Sequence, residues 1–280
     1  QSNAGDFNSQ NITNTLWALA TMKVQQPDLV QRLCQEAAVK CRDFNSQGIA
    51  NTLWALATMK MQQPELVQRL CQVAAVQCRD FNSQDIANTL WALATVKVQH
   101  PELVQRLCQE AAAKCRDFNS QDIVNTLWAL ATMKVQHPDL VQRLCQEAAV
   151  KRHDFNSQHI ANTLWALATM KVQQPDLMQR LCQEASVKCR DFNSQEIANT
   201  LWALARMTVQ QPELVQQLCQ VTSVKCRSFN SQGIANTLWA LATMKVQQPD
   251  LVQRLCQVTS VKCRDFNSQD IANTLWALAI

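Results

Sequence analysis

Phe44-Asn45-Ser46-Gln47-Gly48-Ile49-Ala50-Asn51-Thr52-Leu53-Trp54-Ala55-Leu56-Ala57 decides the fold. The run returns from Phe7, Phe81, Phe118, Phe155, Phe192, Phe229 and Phe266, always at 37-residue steps. Nearly every position is fixed. One is not: it reads Asn11, Gly48, Asp85, Asp122, His159, Glu196, Gly233 and Asp270. Self-similarity at a period of roughly 20–50 residues signals a solenoid, in which a unit too small to bury a core alone is completed by its neighbours.

Seven full repeats (7–43, 44–80, 81–117, 118–154, 155–191, 192–228, 229–265) and a partial one (266–280) are therefore expected in a single α-solenoid domain over residues 5–280. Gln1 to Ala4 reads as a cloning scar. Charged residues make up 17% and the net charge is +4, which permits a nucleic-acid or acidic partner without requiring one. No apolar run is long enough to span a membrane.

The 13 cysteines are an odd number, and most fall in pairs seven apart, such as Cys71 and Cys78. Seven residues along a helix span about 10.5 Å on nearly one face, too far for a disulfide within the helix. No zinc-ligand spacing occurs. The thiols read as reduced core side chains of an intracellular protein in a reducing compartment. Nothing in these residues separates an organelle from delivery into a host cell.

Within residues 44–80, Asn45 can cap a first helix through its side-chain oxygen. Phe44 and Ile49 then form a hydrophobic staple across the cap. This helix A is expected over about Ser46 to Met59, with Ile49, Leu53, Leu56 and Ala57 on one arc, Trp54 at its edge, and residue 48, Asn51, Thr52 and Ala55 opposite. Pro64 opens helix B, where its missing N–H costs nothing. Helix B runs to about Gln77, with Leu66, Val67, Leu70, Cys71, Ala74 and Cys78 inward. All seven prolines hold this same place in their repeats. Strand signals are absent, and short links force antiparallel neighbours. The fold class is all-α: an α-solenoid of 37-residue helix–turn–helix repeats, with a right-handed superhelix expected.

The run Phe-x-x-Gln-x-Ile-Ala-Asn-Thr-Leu-Trp-Ala-Leu-Ala resembles the heptatricopeptide and octotricopeptide repeats of FAST-kinase-like and RAP-associated proteins. The specific part is Asn51-Thr52-Leu53-Trp54-Ala55-Leu56-Ala57 and its equivalents. The resemblance implies RNA binding through the inner helix row. Two departures stand against it: the Pro-Pro-Pro-Glu-Trp-like segment of octotricopeptide repeats is missing, and no RAP domain follows Ile280.

The variable slot has two readings. As the third residue of helix A it suits a capping-box acid, which accounts for Asp85, Asp122, Glu196 and Asp270. That does not account for Gly48, Gly233 or His159, because Gly costs about 1 kcal/mol in a helix relative to Ala. As a recognition position, the slot pairs with the Asn three residues on: Asn14, Asn51, Asn88, Asn125, Asn162, Asn199, Asn236 and Asn273. Such pairs lie one turn apart, and helical-repeat readers of single strands use two or three side chains per base. The Asn series also admits a structural reading, as a ladder to a neighbour's backbone. The Trp series reads as packing between repeats or as base stacking.

The functional expectation is modular binding of single-stranded RNA along a concave helix A surface; Lys23, Lys60, Lys97, Lys134, Lys171 and Lys245 read either as backbone contacts or, more simply, as part of a solvated face. The alternative is a scaffold of armadillo or HEAT type that binds an extended peptide or protein. No cofactor and no metal are expected. Near-identical repeats offer no unique cleft where unlike groups converge, so the chain reads as no enzyme. Terminal repeats without polar caps would let copies associate end to end.

Overall fold

The computed structural model describes residues 7–280; the expected scar at residues 1–4 lies outside them. In chain order the helices are α1 (Ser9–Thr21), α2 (Pro27–Val39), α3 (Ser46–Thr58), α4 (Pro64–Gln77), α5 (Ser83–Val96), α6 (Pro101–Ala113), α7 (Ser120–Met133), α8 (Pro138–Lys151), α9 (Ser157–Met170), α10 (Pro175–Lys188), α11 (Ser194–Arg206), α12 (Pro212–Lys225), α13 (Ser231–Thr243), α14 (Pro249–Lys262) and α15 (Ser268–Ala279). Odd helices are helix A of their repeats and even helices are helix B. Two compact units divide the chain, the first ending at Glu147 and the second starting at Ala148, within α8. Each is an all-α solenoid of paired helices stacked in register.

The elements form where local chemistry dictates. In α3 the Asn45 side chain accepts from Gly48 N–H at 2.8 Å, and every helix A starts on the equivalent Asn. Helix A ends in a left-handed turn. Lys23, Lys60, Lys97, Lys134, Lys171, Thr208 and Lys245 occupy it, with φ between 53° and 57°. Gly is the residue that turn favours, and an L-residue there gives up about 1–2 kcal/mol. Each helix B opens on its proline. The link from helix B to the next Phe is more ordered than the sequence suggests: a 3₁₀ turn, such as Cys78–Asp80, fills it.

Stacking explains the burial. Successive A helices pack closely on one another over Ala and Thr, more closely than successive B helices do. Phe44, Phe81, Phe118, Phe155, Phe192 and Phe229 are completely buried, as are most of the Ile and Leu of helix A and most of the Leu and first Cys of helix B. Two sets of polar ties fix the register. Lys114 and Lys225 at the ends of helix B donate to the carbonyls of Phe81 and Phe192 at the starts of helix A, at 2.6 and 2.7 Å. Arg69 and Arg106 reach back to the carbonyls of Ala38 and Ala75 on the preceding helix B, at 3.1 and 2.9 Å.

One sequence expectation is corrected here. Thr52, Ala55 and residue 48 lie buried, not on an open face. A helix A inside a unit has three partners: its own helix B, the preceding helix A and the following one. Its exposed stripe is therefore much narrower than the polar face of a helix with a single partner. The end helices show the two sides separately. In α15, Ile271 is 46% exposed while Asp270 and Thr274 stay buried against α13; in α1 the pattern is reversed, with Asn11 open and Ile12 and Leu16 covered.

Candidate nucleic-acid interface

The variable slot points inward. Asp85, Asp122, His159, Glu196 and Asp270 are between 3% and 8% exposed, and Gly48 and Gly233 are buried as well; Asn11 alone, with no described repeat before it, is open. The expected line of accessible slot side chains does not form. The four acids complete capping boxes instead. Asn82 N–H donates to Asp85 at 3.3 Å, Asn119 N–H to Asp122 at 3.1 Å, Asn193 N–H to Glu196 at 2.9 Å and Asn267 N–H to Asp270 at 3.3 Å. Burial raises the Asp85 carboxyl above its ordinary value, opposed by the Asn82 N–H and the Lys114 charge. The His159 imidazole meets the Phe155 ring edge-on at 5.7 Å, and burial, then the Lys188 charge, lowers its pKa. At Gly48 an added Cβ would lie 3.4 Å from Thr13 Oγ1 of the preceding repeat, which carries Thr where most others carry Ala.

What helix A does present is a stripe of Gln47, Asn51, Trp54 and Thr58, at i, i+4, i+7 and i+11. The Gln series, Gln10 to Gln269, lies on the outer side of helix A; the Asn and Trp series are half-buried in the interior repeats. Gln121 Nε2 donates to Asn125 Oδ1 at 2.7 Å, and Gln269 to Asn273 at 2.8 Å. Among the described residues no Asn of the series bonds to a neighbour's backbone, so the structural-ladder reading fails. The Gln series escaped the sequence reading, although its place one turn before the Asn and its constancy were both visible.

The tryptophans form ladders. In the first unit, Trp54–Trp91 and Trp91–Trp128 ring centroids lie 6.5 and 6.4 Å apart, tilted by 36° and 37°. In the second, Trp202–Trp239 and Trp239–Trp276 lie 6.5 and 6.4 Å apart, tilted by 38° and 33°. This is aromatic packing distance, so the rings do bind repeat to repeat. Their outer parts still reach the surface among the amides.

Basic groups divide into two populations. Several of those on and at the end of helix B are engaged with carbonyls or with acids, as in Arg106–Glu102 at 2.8 Å and Lys114 to the Phe81 carbonyl at 2.6 Å. The lysines of the left-handed turns are exposed at the end of the stripe. Among the described residues no group of three or more His, Cys, Asp or Glu could hold a metal, and no helix is long and apolar enough to cross a membrane.

The stacked hairpins and their repeated amide–aromatic stripe define an all-α helical-repeat protein. A family model described as RNA-editing substrate-binding complex 6 protein matches residues 2–153 and again residues 135–280. The chain belongs to that family. A comparison with curated proteins found no match.

Proposed function

We propose that the chain binds single-stranded RNA along the helix A surface of its repeats. The observation that carries this is the stripe: outward Gln, half-buried Asn and a Trp ladder, set side by side in successive repeats of a chain whose family is described as an RNA-editing substrate-binding complex protein. Amides donate and accept at once, as base edges require. Stacking on an aromatic face contributes about 1–3 kcal/mol per base whatever the base. In this reading Asn51, Asn88, Asn125, Asn162, Asn199 and Asn236 contact bases with the Gln one turn before them. The slot acids Asp85, Asp122, Glu196 and Asp270 act one step removed, by capping the helix that carries the pair.

The Asn-Thr-Leu-Trp-Ala-Leu-Ala run supports the finer assignment to the heptatricopeptide and octotricopeptide kind. Thiols packed as core side chains support a reducing compartment.

Titration of a labelled single-stranded RNA against the same sequence annealed to its complement tests the reading. Asn88→Ala with Asn125→Ala should weaken single-strand binding roughly tenfold, taking about 1.4 kcal/mol for two bases left without their amide partners. A chain that ignores single strands, and instead retains an extended protein partner after nuclease treatment, belongs to the peptide-scaffold class.

A further inference from the structure

The left-handed turns that end helix A pose a problem that backbone chemistry does not solve. Gly or Asn is what such a turn favours, yet among the described turns none holds either, and six of the seven hold Lys. Lys60, Lys97 and Lys134 of the first unit are exposed there, and their ammonium groups make no hydrogen bond or ion pair among the described residues. By contrast, Lys40, Lys114, Lys225 and Lys262 on helix B donate to main-chain carbonyls of Phe at 2.6–2.7 Å.

The exception is informative. Thr208 replaces the turn lysine on α11, and in that repeat alone Arg206 stands where the other full repeats have Thr. The positive charge is kept but moved two residues back, onto the stripe, where the Arg206 guanidinium lies 6.0 Å from the Trp202 ring centroid. Arg206 ends α11, where the helix C-terminus welcomes a cation as it does a turn lysine; its place over Trp202 also sets that charge on the stripe.

Grooves lie between successive turns. One of about 780 Å³ lies between the turns of Lys97 and Lys134 and is lined also by Gln99, His100, Val104 and Cys108. A second, of about 420 Å³, lies between those of Lys60 and Lys97.

We propose that these turns are the phosphate track of the RNA site. The sugar–phosphate backbone passes along the ends of the A helices, each turn lysine (Arg206 on α11) holds a phosphate, and the bases turn toward the Gln–Asn–Trp stripe. This rests on the RNA reading above; it takes the turn lysines as phosphate holders rather than a solvated face, adds Arg206 to them, and adds on which side of the stripe the backbone lies.

The test uses the full chain, a labelled oligouridylate and the matching abasic ribose–phosphate strand, across a range of salt concentrations. Replacing Lys60, Lys97 and Lys134 with Gly should leave the melting temperature equal or higher, since Gly fits the turn. It should lower the salt slope of binding by about 2, because each phosphate no longer neutralised on a single strand takes away about 0.7. The Lys→Gln set, which keeps the wild-type strain, should give the same slope. Both reductions should persist on the abasic strand, where Asn88→Ala has no effect. Arg206→Thr should lower the slope by about 0.7, and adding Thr208→Lys should restore it. An unchanged slope in the triple variants, with wild-type RNA binding intact, overturns the phosphate track alone. Failure of the wild-type chain to bind the oligouridylate overturns the RNA reading and the track together.

Discussion

Asn193 and Glu196 hold each other at the start of α11. Glu196 N–H donates to Asn193 Oδ1 at 3.0 Å, Asn193 N–H donates to Glu196 Oε2 at 2.9 Å, and Asn193 Nδ2 donates to Glu196 Oε1 at 2.8 Å. This closed ring shows what an acid in the slot does: it satisfies the helix N-terminus while lying buried.

The two glycine slots should therefore respond differently to an acid. Gly233→Asp gains a capping box and removes the Gly penalty of about 1 kcal/mol; the new Cβ lies 2.9 Å from Asn230 Oδ1, a side-chain end that must shift slightly, and 3.3 Å from Phe229, much as at Gly48, while its neighbour on the preceding helix, Ala198 Cβ, is 3.8 Å away. We expect stabilisation of about 1 kcal/mol by chemical denaturation. Gly48→Asp meets Thr13 Oγ1 at 3.4 Å and should gain little or lose stability. Thr13→Ala should restore its gain. Equal responses at both positions would show that the preceding repeat does not constrain the slot.

Phe118 and Trp91 separate core from surface packing. Phe118 is completely buried, and Phe118→Ala should cost about 3–5 kcal/mol. Trp91 packs between Trp54 and Trp128 but is only half-buried, so Trp91→Ala should cost about 2 kcal/mol, including the aromatic pair terms. A cost at Trp91 as large as at Phe118 would mean that the indole is core and closed to a base.

His159 should make the chain sensitive to mild acid. Burial, then the Lys188 charge, holds its folded value below the ordinary 6.5. As pH falls through that range the unfolded chain takes up the proton first, so stability is present above about pH 6.5 and declines below it. Melting curves of His159→Gln should decline less between about pH 7 and pH 5 than those of the parent, by a few degrees at the lower end. Superimposable pH profiles would place the imidazole in water.

The cysteines predict the alkaline limb. Burial pushes the thiols of Cys71, Cys108, Cys145 and Cys182 up to about 12, from an ordinary value of 9.0. Their folded values are raised, so the stability they contribute is complete below pH 9.0 and is lost as pH climbs beyond it. These four should resist alkylation in the native chain, while exposed Cys263 reacts first. Peptide mapping after brief iodoacetamide treatment reads the order. Early labelling of Cys108 would contradict the buried core.

Much of the fold was legible because it is local. Asn45 as cap, Pro64 as first helical residue and the Ile49–Leu53–Leu56 arc act within a turn or two of themselves, and the helices fall where those residues place them. The 37-residue period implied stacking, since a single hairpin cannot bury its own Phe and Leu. The candidate site was legible only in part. Asn88 and its equivalents were picked out and do reach the surface, and the capping-box reading of Asp85 holds, but Asp85 was also read as open and Gln84 was passed over, because the sequence of one helix does not say how many neighbours press on it.

The sequence by itself determined the hairpin, its ends and the period at which it recurs, all consequences of short-range hydrogen bonding and spacing. Only the tertiary structure decided which residues of helix A meet water. Closing a helix between two copies of itself buries Thr89 and Asp85 on its flanks and leaves Gln84, Asn88 and Trp91 outward. That choice depends on packing across a repeat boundary, which no stretch within a single repeat encodes.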